Sequence, residues 1–166
     1  MPTTNSKGRG LLWCAGGVAS VHAAFSAYWA LGGQWLLDTV GAWAVNLVNR
    51  APLLSAVVLG MVAIVKFAGA AVPLLVEYQR LPGRHLWRVL EAIGSAVLIV
   101  YGVLNVAAAW AVLGGIIVAA DGYNRAAELG HAALWDPLFL LWGVLLAAGL
   151  RYTRATPHDG QPISAS

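Results

Sequence analysis

Six side chains could do chemistry within long apolar stretches: His22, Trp29, Lys66, Tyr101, Asn105 and Asp136. Lys66 is the most informative, because it is the single charge between Pro52 and Val76. A lysine at the centre of a helix in hydrocarbon costs roughly 2.5–3.5 kcal/mol to insert. Its neighbours at helical spacing are Val62, Ala63, Gly69, Ala70 and Pro73. Most are small, which suits a face packed on other helices. Lys66 therefore reads as an inward-facing ligand or proton site. The alternative is a stem that snorkels toward headgroups.

His22 shares a helical face with Ser26, Trp29, Ala15 and Ala19. It could carry a proton or touch a ligand, or it could be a neutral imidazole bonded to a neighbouring helix. Tyr101 and Asn105 stand one helical turn apart. An asparagine in lipid needs a partner, so Asn105 is expected to face other helices, as inter-helix glue or as a ligand contact. Asp136-Pro137 has the chemistry of a helix start, with aspartate as cap and proline in the first turn. Glu91 reads as an acid in a first helical turn, near Arg88.

Several chemistries find no residues to support them. The one cysteine, Cys14, permits neither an internal disulfide nor a CxxC site. Bis-histidine haem ligation lacks a second histidine at membrane depth, since His85, His131 and His158 fall in the flanking segments. No HExxH, no paired carboxylates at mid-span and no phosphate-cradling Gly-Lys loop occur. No catalytic residue, metal ligand or cofactor is assigned. No basic patch stands apart from the ends of the apolar runs, which argues against nucleic acid as a partner.

These side chains must be positioned by elements suited to hydrocarbon. Of 166 residues 60% are hydrophobic and only 10% charged, and mean hydropathy is +0.72. So few charges cannot cover a water-facing surface. Four apolar runs stand out, at about 11–31, 52–76, 89–113 and 134–150. At ~1.5 Å per residue, ~21 residues span the ~30 Å core of a bilayer. They lack the alternation of barrel strands, so helices are expected. The fold class is all-α: a polytopic four-helix transmembrane bundle over 11–150, a cytoplasmic tail over 1–10 and a flexible cytoplasmic tail over 151–166. In the first outer connection Leu36, Leu37, Val40, Trp43, Ala44, Leu47 and Val48 fall on one helical stripe. That predicts an amphipathic helix at the outer interface. Leu81-Pro82-Gly83-Arg84 is turn chemistry that makes helices two and three an antiparallel hairpin.

Basic residues orient the bundle. Lys7, Arg9, Arg80, Arg84, Arg88, Arg151 and Arg154 flank one side, whereas Arg50 and Arg125 flank the other. The richer side is cytoplasmic, with both termini there. Trp29, Trp35, Trp43, Trp110 and Trp135 map to the outer boundary, and Trp13 and Trp87 to the inner one, as an aromatic belt. Trp29-Ala30-Leu31-Gly32-Gly33 echoes Trp110-Ala111-Val112-Leu113-Gly114-Gly115, and Pro52 echoes Pro137. A faint repeat of two parallel hairpins would follow. Lys7, Arg9 and the run after them would also fit a cleavable leader, but the run continues to Leu31, long enough to span.

The motifs Tyr28-Trp29-Ala30-Leu31-Gly32-Gly33, after a mid-helix His22, and Trp135-Asp136-Pro137-x-Phe139-Leu140-Leu141-x-Gly143 carry a resemblance. The chain resembles, over most of its length, a family of small four-helix prokaryotic membrane proteins known as a domain of unknown function. The resemblance implies a bacterial inner-membrane location and the same four spans, and pairs the Trp-Gly-Gly corner with the Asp-Pro corner. It implies no activity.

The reading that follows is a membrane protein that binds or transports a small polar or anionic ligand in a pocket between the helices, with Trp29 at its mouth. A membrane-embedded enzyme acting on a lipid-like substrate, with His22 or Asp136 as acid–base group, is one alternative. An accessory subunit whose polar residues serve packing is another. The bilayer is the expected partner, and a second copy or another membrane protein stays open. Alkaline phosphatase fused after Arg154 is expected to be inactive in cells, and fused within the first outer connection active; the reverse pattern would overturn the orientation.

Overall fold

The structure, a computed structural model, describes residues 6–118 and 123–154. Among these it is all-α, and four helical stretches are long and apolar enough to cross a membrane. They are α1 (Ser6–Ala30), α3 (Pro52–Glu77), α4 (Arg84–Leu113) and the stretch Arg125–Thr153. The last consists of α5 (Arg125–Gly130), a π-helical turn (His131–Trp135) and α6 (Asp136–Arg154). A short helix, α2 (Ala42–Arg50), lies between α1 and α3. Asp121, expected in the second outer connection, and His158 in the C-terminal tail lie outside the described residues.

The helices pack in the order α3–α1–α6–α4. Small residues permit the close approaches, as expected where dispersion rather than water expulsion drives association. On the α4–α6 seam, a Cβ built on Gly102 would come within 2.8 Å of the Leu140 backbone. One built on Gly143 would come within 2.9 Å of the Ser95 carbonyl. The hairpin expectation for the second and third spans needs correction. α3 and α4 share a short turn, with Gln79 and Gly83 at positive φ, but touch each other little. α3 spends its packing face on α1, and α4 on α6. Between α3 and α4 runs an apolar groove of about 400 Å³, walled by Val65, Val72, Leu90 and Val97 and floored by Trp142.

Two apolar clusters fill the bundle. One, toward the chain termini, holds Leu12, Ala15, Ala19, Ala70, Trp142, Leu146 and Leu150. The other, at the α2 end, holds Trp29, Leu37, Ala44, Val48, Leu59 and Trp135. Trp29 and Trp135 are therefore core residues, 4% and 3% exposed, and not members of a belt. Their N–H groups find partners inside the protein, which lets the whole ring be buried. Trp13, Trp35, Trp43 and Trp110 are exposed.

The stripe in the first connection is divided. Leu36 adopts the left-handed conformation, Leu37–Thr39 forms a 3-10 turn, and Gly41 takes φ 125° before α2 begins at Ala42. The break turns Leu37, Ala44 and Val48 down onto the end of the bundle. The expected repeat is also imperfect. α1 and α4 both end in Schellman turns, closed by Gly33 N–H to Tyr28 O and Ile116 N–H to Ala111 O. Aligning these turns places Trp29 on Val112 rather than on Trp110. Pro52 starts a helix, whereas Pro137 lies within one.

At the other end an ion cluster ties three helix termini together. Glu77 accepts from Arg88 at 2.5 Å and from Arg9 at 3.3 Å, and Arg88 reaches Glu91 at 3.2 Å. Glu91 is thus more than a dipole partner of its own helix. Glu77, Arg88 and Glu91 are all buried. Glu77→Ala removes the nearer carboxylate of the buried Arg88, leaving it Glu91 alone, and takes away the partner of Arg9; it is expected to cost about 3–5 kcal/mol. Arg84→Ala removes an exposed partner 3.7 Å from Glu77 and should cost under about 1 kcal/mol. Unfolding of the purified variants in detergent measures both; equal losses would refute the cluster's hierarchy.

Candidate functional site

Between the two apolar clusters lies a polar layer, and it is built around Lys66. The lysine side chain turns into the bundle, where Nζ lies 3.0 Å from His22 Nδ1 and 2.9 Å from Ser26 Oγ. The Phe139 ring centroid is 5.2 Å from the ammonium, within cation–π range. Small residues on the same face of α3, Ala63 and Ala70, are buried against α1 and leave room for the stem. An ammonium has only donors, so His22 Nδ1 accepts and the imidazole proton sits on Nε2. That Nε2 is buried without a partner. Ser26 Oγ accepts from Lys66 and donates to the His22 carbonyl at 3.3 Å. Ser26 and Lys66 thus have the spacing of a nucleophile and its base. Their hydrogen bond runs the wrong way for activation, and the trio acts as a cluster of donors.

The second half of the layer comes from the π-helical turn. Pro137 has no N–H to donate and its ring crowds the carbonyl one turn back. A wider turn, closed five residues on, relieves that crowding. It also brings residues five apart onto one face; in an α-helix they would sit about 140° apart. His131 and Asp136 meet in this way, Nδ1 to Oδ2 at 2.9 Å. His131 Nε2–H donates to the Val40 carbonyl at 3.2 Å, so one proton lies between Nδ1 and Oδ2. Asp136 is 1% exposed and its Oδ1 has no partner. The helix-cap reading of Asp136 is corrected accordingly. Its backbone is helical, and the cap of this stretch is Asn124, whose side chain accepts from the Ala126 and Ala127 N–H groups.

The lysine and the aspartate face one cavity of about 310 Å³, which also has Trp29, Tyr101, Trp135 and Phe139 in its walls. His22 lies against Phe139 with the rings tilted, centroids 4.0 Å apart, and Trp29 meets Trp135 edge-on at 5.1 Å. Tyr101 meets Phe139 edge-on at 5.4 Å. The segment Trp35–Ala44 closes the top. Four bonds hold it: Trp29 Nε1–H to Trp35 O, Trp35 N–H to Tyr28 Oη, Trp135 Nε1–H to Thr39 Oγ1, and His131 Nε2–H to Val40 O. Val40, Trp43 and Ala44 line the cavity from this side.

Over residues 19–146 the sequence matches the family described as "Protein of unknown function (DUF3995)". The chain belongs to that family. No curated protein and no solved structure matches it. In this DUF3995 chain the matched region holds every cavity residue named above and leaves out the chain ends.

Of the six residues expected from sequence, His22, Trp29, Lys66, Tyr101 and Asp136 line the cavity. Asn105 does not: its amide donates to the Tyr101 carbonyl of its own helix at 2.8 Å. Such a back-bond satisfies the amide without a neighbouring helix. His131, Trp135 and Phe139 belong to the site although sequence reasoning passed over them as ligand contacts. The Trp-Asp-Pro-x-Phe motif contains two of the three, but nothing in its spacing announces a π turn. Among the described residues no cluster fit to hold a metal occurs.

The His131–Asp136 bond is expected to behave as a buried pair. His131→Ala leaves a buried carboxylate alone and should destabilise by about 3–5 kcal/mol. His131→Leu with Asp136→Leu removes the charge as well and should recover most of that loss. Unfolding in detergent compares the two, and a double variant no better than the single one would sink the pairing.

Proposed function

We propose that this chain is an integral membrane protein, with both termini in the cytoplasm of a bacterial cell, that binds or transports a small polar or anionic ligand in the cavity beneath α2. The observation that carries this reading is the Lys66 ammonium, held in the bundle by neutral partners while it lines a cavity between the helices. None of the ion pairs among the described residues includes Lys66. Burying a charge without a counter-charge is costly, and sequences that keep one inside a membrane bundle usually use it.

The elements around the cavity divide the work. The apolar cluster of Leu12, Trp142, Leu146 and Leu150 and the Glu77–Arg88 network close the terminal end. At the other end the cover Trp35–Ala44 is fastened by only a few hydrogen bonds, and His131 keeps about a third of its side chain exposed. Entry from the α2 side, the outer side in the proposed orientation, needs the least rearrangement. Lys66 would anchor the ligand, His22 and Ser26 would hold Lys66, and the aromatic walls would select for shape.

Thermal unfolding of the full chain in detergent tests this with a panel of small anionic, zwitterionic, cationic and neutral solutes. Anionic or polar solutes are expected to raise the midpoint of wild type. Lys66→Met should unfold no earlier than wild type, since methionine fills similar volume without charge, yet lose the response. A lysine kept only for packing would give the opposite pair of results: lower stability in Lys66→Met and no solute response in either protein.

A further inference from the structure

Resting on that binding reading, the cavity's own chemistry narrows the ligand. We infer that the site takes a small aromatic carboxylate that carries a hydrogen-bond donor at the end away from its carboxylate. Three features of one cavity specify the three parts of such a molecule.

Charge comes first. Lys66 contributes one positive charge, and His22, which accepts from it, is neutral. Asp136 has an ionic partner of its own in His131, Nδ1 to Oδ2 at 2.9 Å. Lys66 is thus the charge in the cavity without an ionic partner among the described residues. A monoanion cancels it. Two of the three Lys66 N–H bonds go to His22 and Ser26, and the third is left for a carboxylate oxygen. Charge-assisted bonds of that kind are the strong ones.

Shape is the second. The cavity that Lys66 and Asp136 line has Trp29, Tyr101, Trp135 and Phe139 in its walls, with aliphatic Leu59 and Val62 beside them. Such walls accommodate a flat ring through offset or edge-on contacts, worth about 0.5–1.5 kcal/mol per aromatic pair beyond area burial. An aliphatic ring of similar size fills the volume but forgoes those contacts. The cavity, about 310 Å³, is at the small end of ligand sites, which excludes two fused rings with long substituents.

The far end is the third. Asp136 Oδ1 is buried, has no partner, and belongs to a residue that lines the same cavity. A buried acceptor left unmade is costly, and a hydroxyl or amino group on the ligand would satisfy it. Oδ2 is already committed to His131, which fixes the carboxylate's orientation.

The experiment is equilibrium dialysis of the full chain in detergent with radiolabelled 4-hydroxybenzoate, competed by benzoate, cyclohexanecarboxylate, 4-methylphenol and tyramine. Saturable binding of 4-hydroxybenzoate is expected, with benzoate weaker by about tenfold or more, as losing a bond to a charged group predicts. Cyclohexanecarboxylate should be weaker than benzoate, and 4-methylphenol and tyramine should not compete. Lys66→Met should abolish binding, and Asp136→Asn should remove the preference for the hydroxyl. Benzoate equal to 4-hydroxybenzoate overturns the donor at the far end. Cyclohexanecarboxylate equal to benzoate overturns the aromatic requirement. If the carboxylates fail while other solutes still stabilise the chain thermally, this ligand class is wrong and the binding reading stands; if every solute fails, both fall. The wild-type series decides these points alone, so a variant that does not fold leaves the test intact.

Discussion

One ammonium inside an apolar bundle sets the terms for the rest of this structure. Lys66 sits between two clusters that contain no charge, and its nearest polar neighbours are an imidazole and a hydroxyl on the facing helix. An apolar interior offers such a group nothing, so the bundle must supply acceptors, space and aromatic faces around it. Much of the packing serves that end. Small residues on α3 let the helix lie close to α1 while the stem bends inward, and Phe139 presents its ring face. The layer divides the interior into a sealed half and a half with a cavity.

The second constraint is Pro137. Within a regular helix it would cost a hydrogen bond and crowd the preceding turn. Here the backbone widens into a π turn, and the local defect becomes the device that aligns His131 with Asp136. The same turn sends Trp135 inward to roof the cavity and to hold Thr39 of the covering segment. One irregular turn therefore couples three things: the buried acid, its partner, and the cover. Regular α-helix at this place would put Asp136 and His131 on different faces.

The two ends of the bundle solve the problem of buried polarity differently. At the terminal end, charges of both signs meet in a closed network of Arg9, Glu77, Arg88 and Glu91, and every member has an ionic partner. That arrangement joins the ends of α1, α3 and α4, with Arg84 3.7 Å from Glu77 at its exposed rim. At the α2 end the lysine lacks an ionic partner and the aspartate keeps one oxygen unpaired. The difference lies in charge pairing, since Arg88 Nε and Glu91 Oε1 are themselves buried without a hydrogen-bond partner, whereas the lysine at the cavity has no counter-charge.

By itself the sequence determined the scaffold. Apolar runs of spanning length allow only helices in hydrocarbon, so the four long helices and the short helix between the first two followed from composition and period, and the small residues beside Lys66 favoured an inward face over a snorkelling stem. A single lysine among small residues could be assigned to an inward face because that face is a local property of one helix. What needed tertiary structure was everything set by partners on other elements. Glu77 and Arg88 each look like ordinary helix-end charges until three termini converge. Trp29 and Trp135 look like belt residues until their N–H groups find acceptors inside. Asn105 looked inter-helical, but the carbonyl one turn back satisfied it. His131 and Asp136 could not be paired from spacing, because α-helical periodicity separates them and only a proline-relieving π turn brings them together.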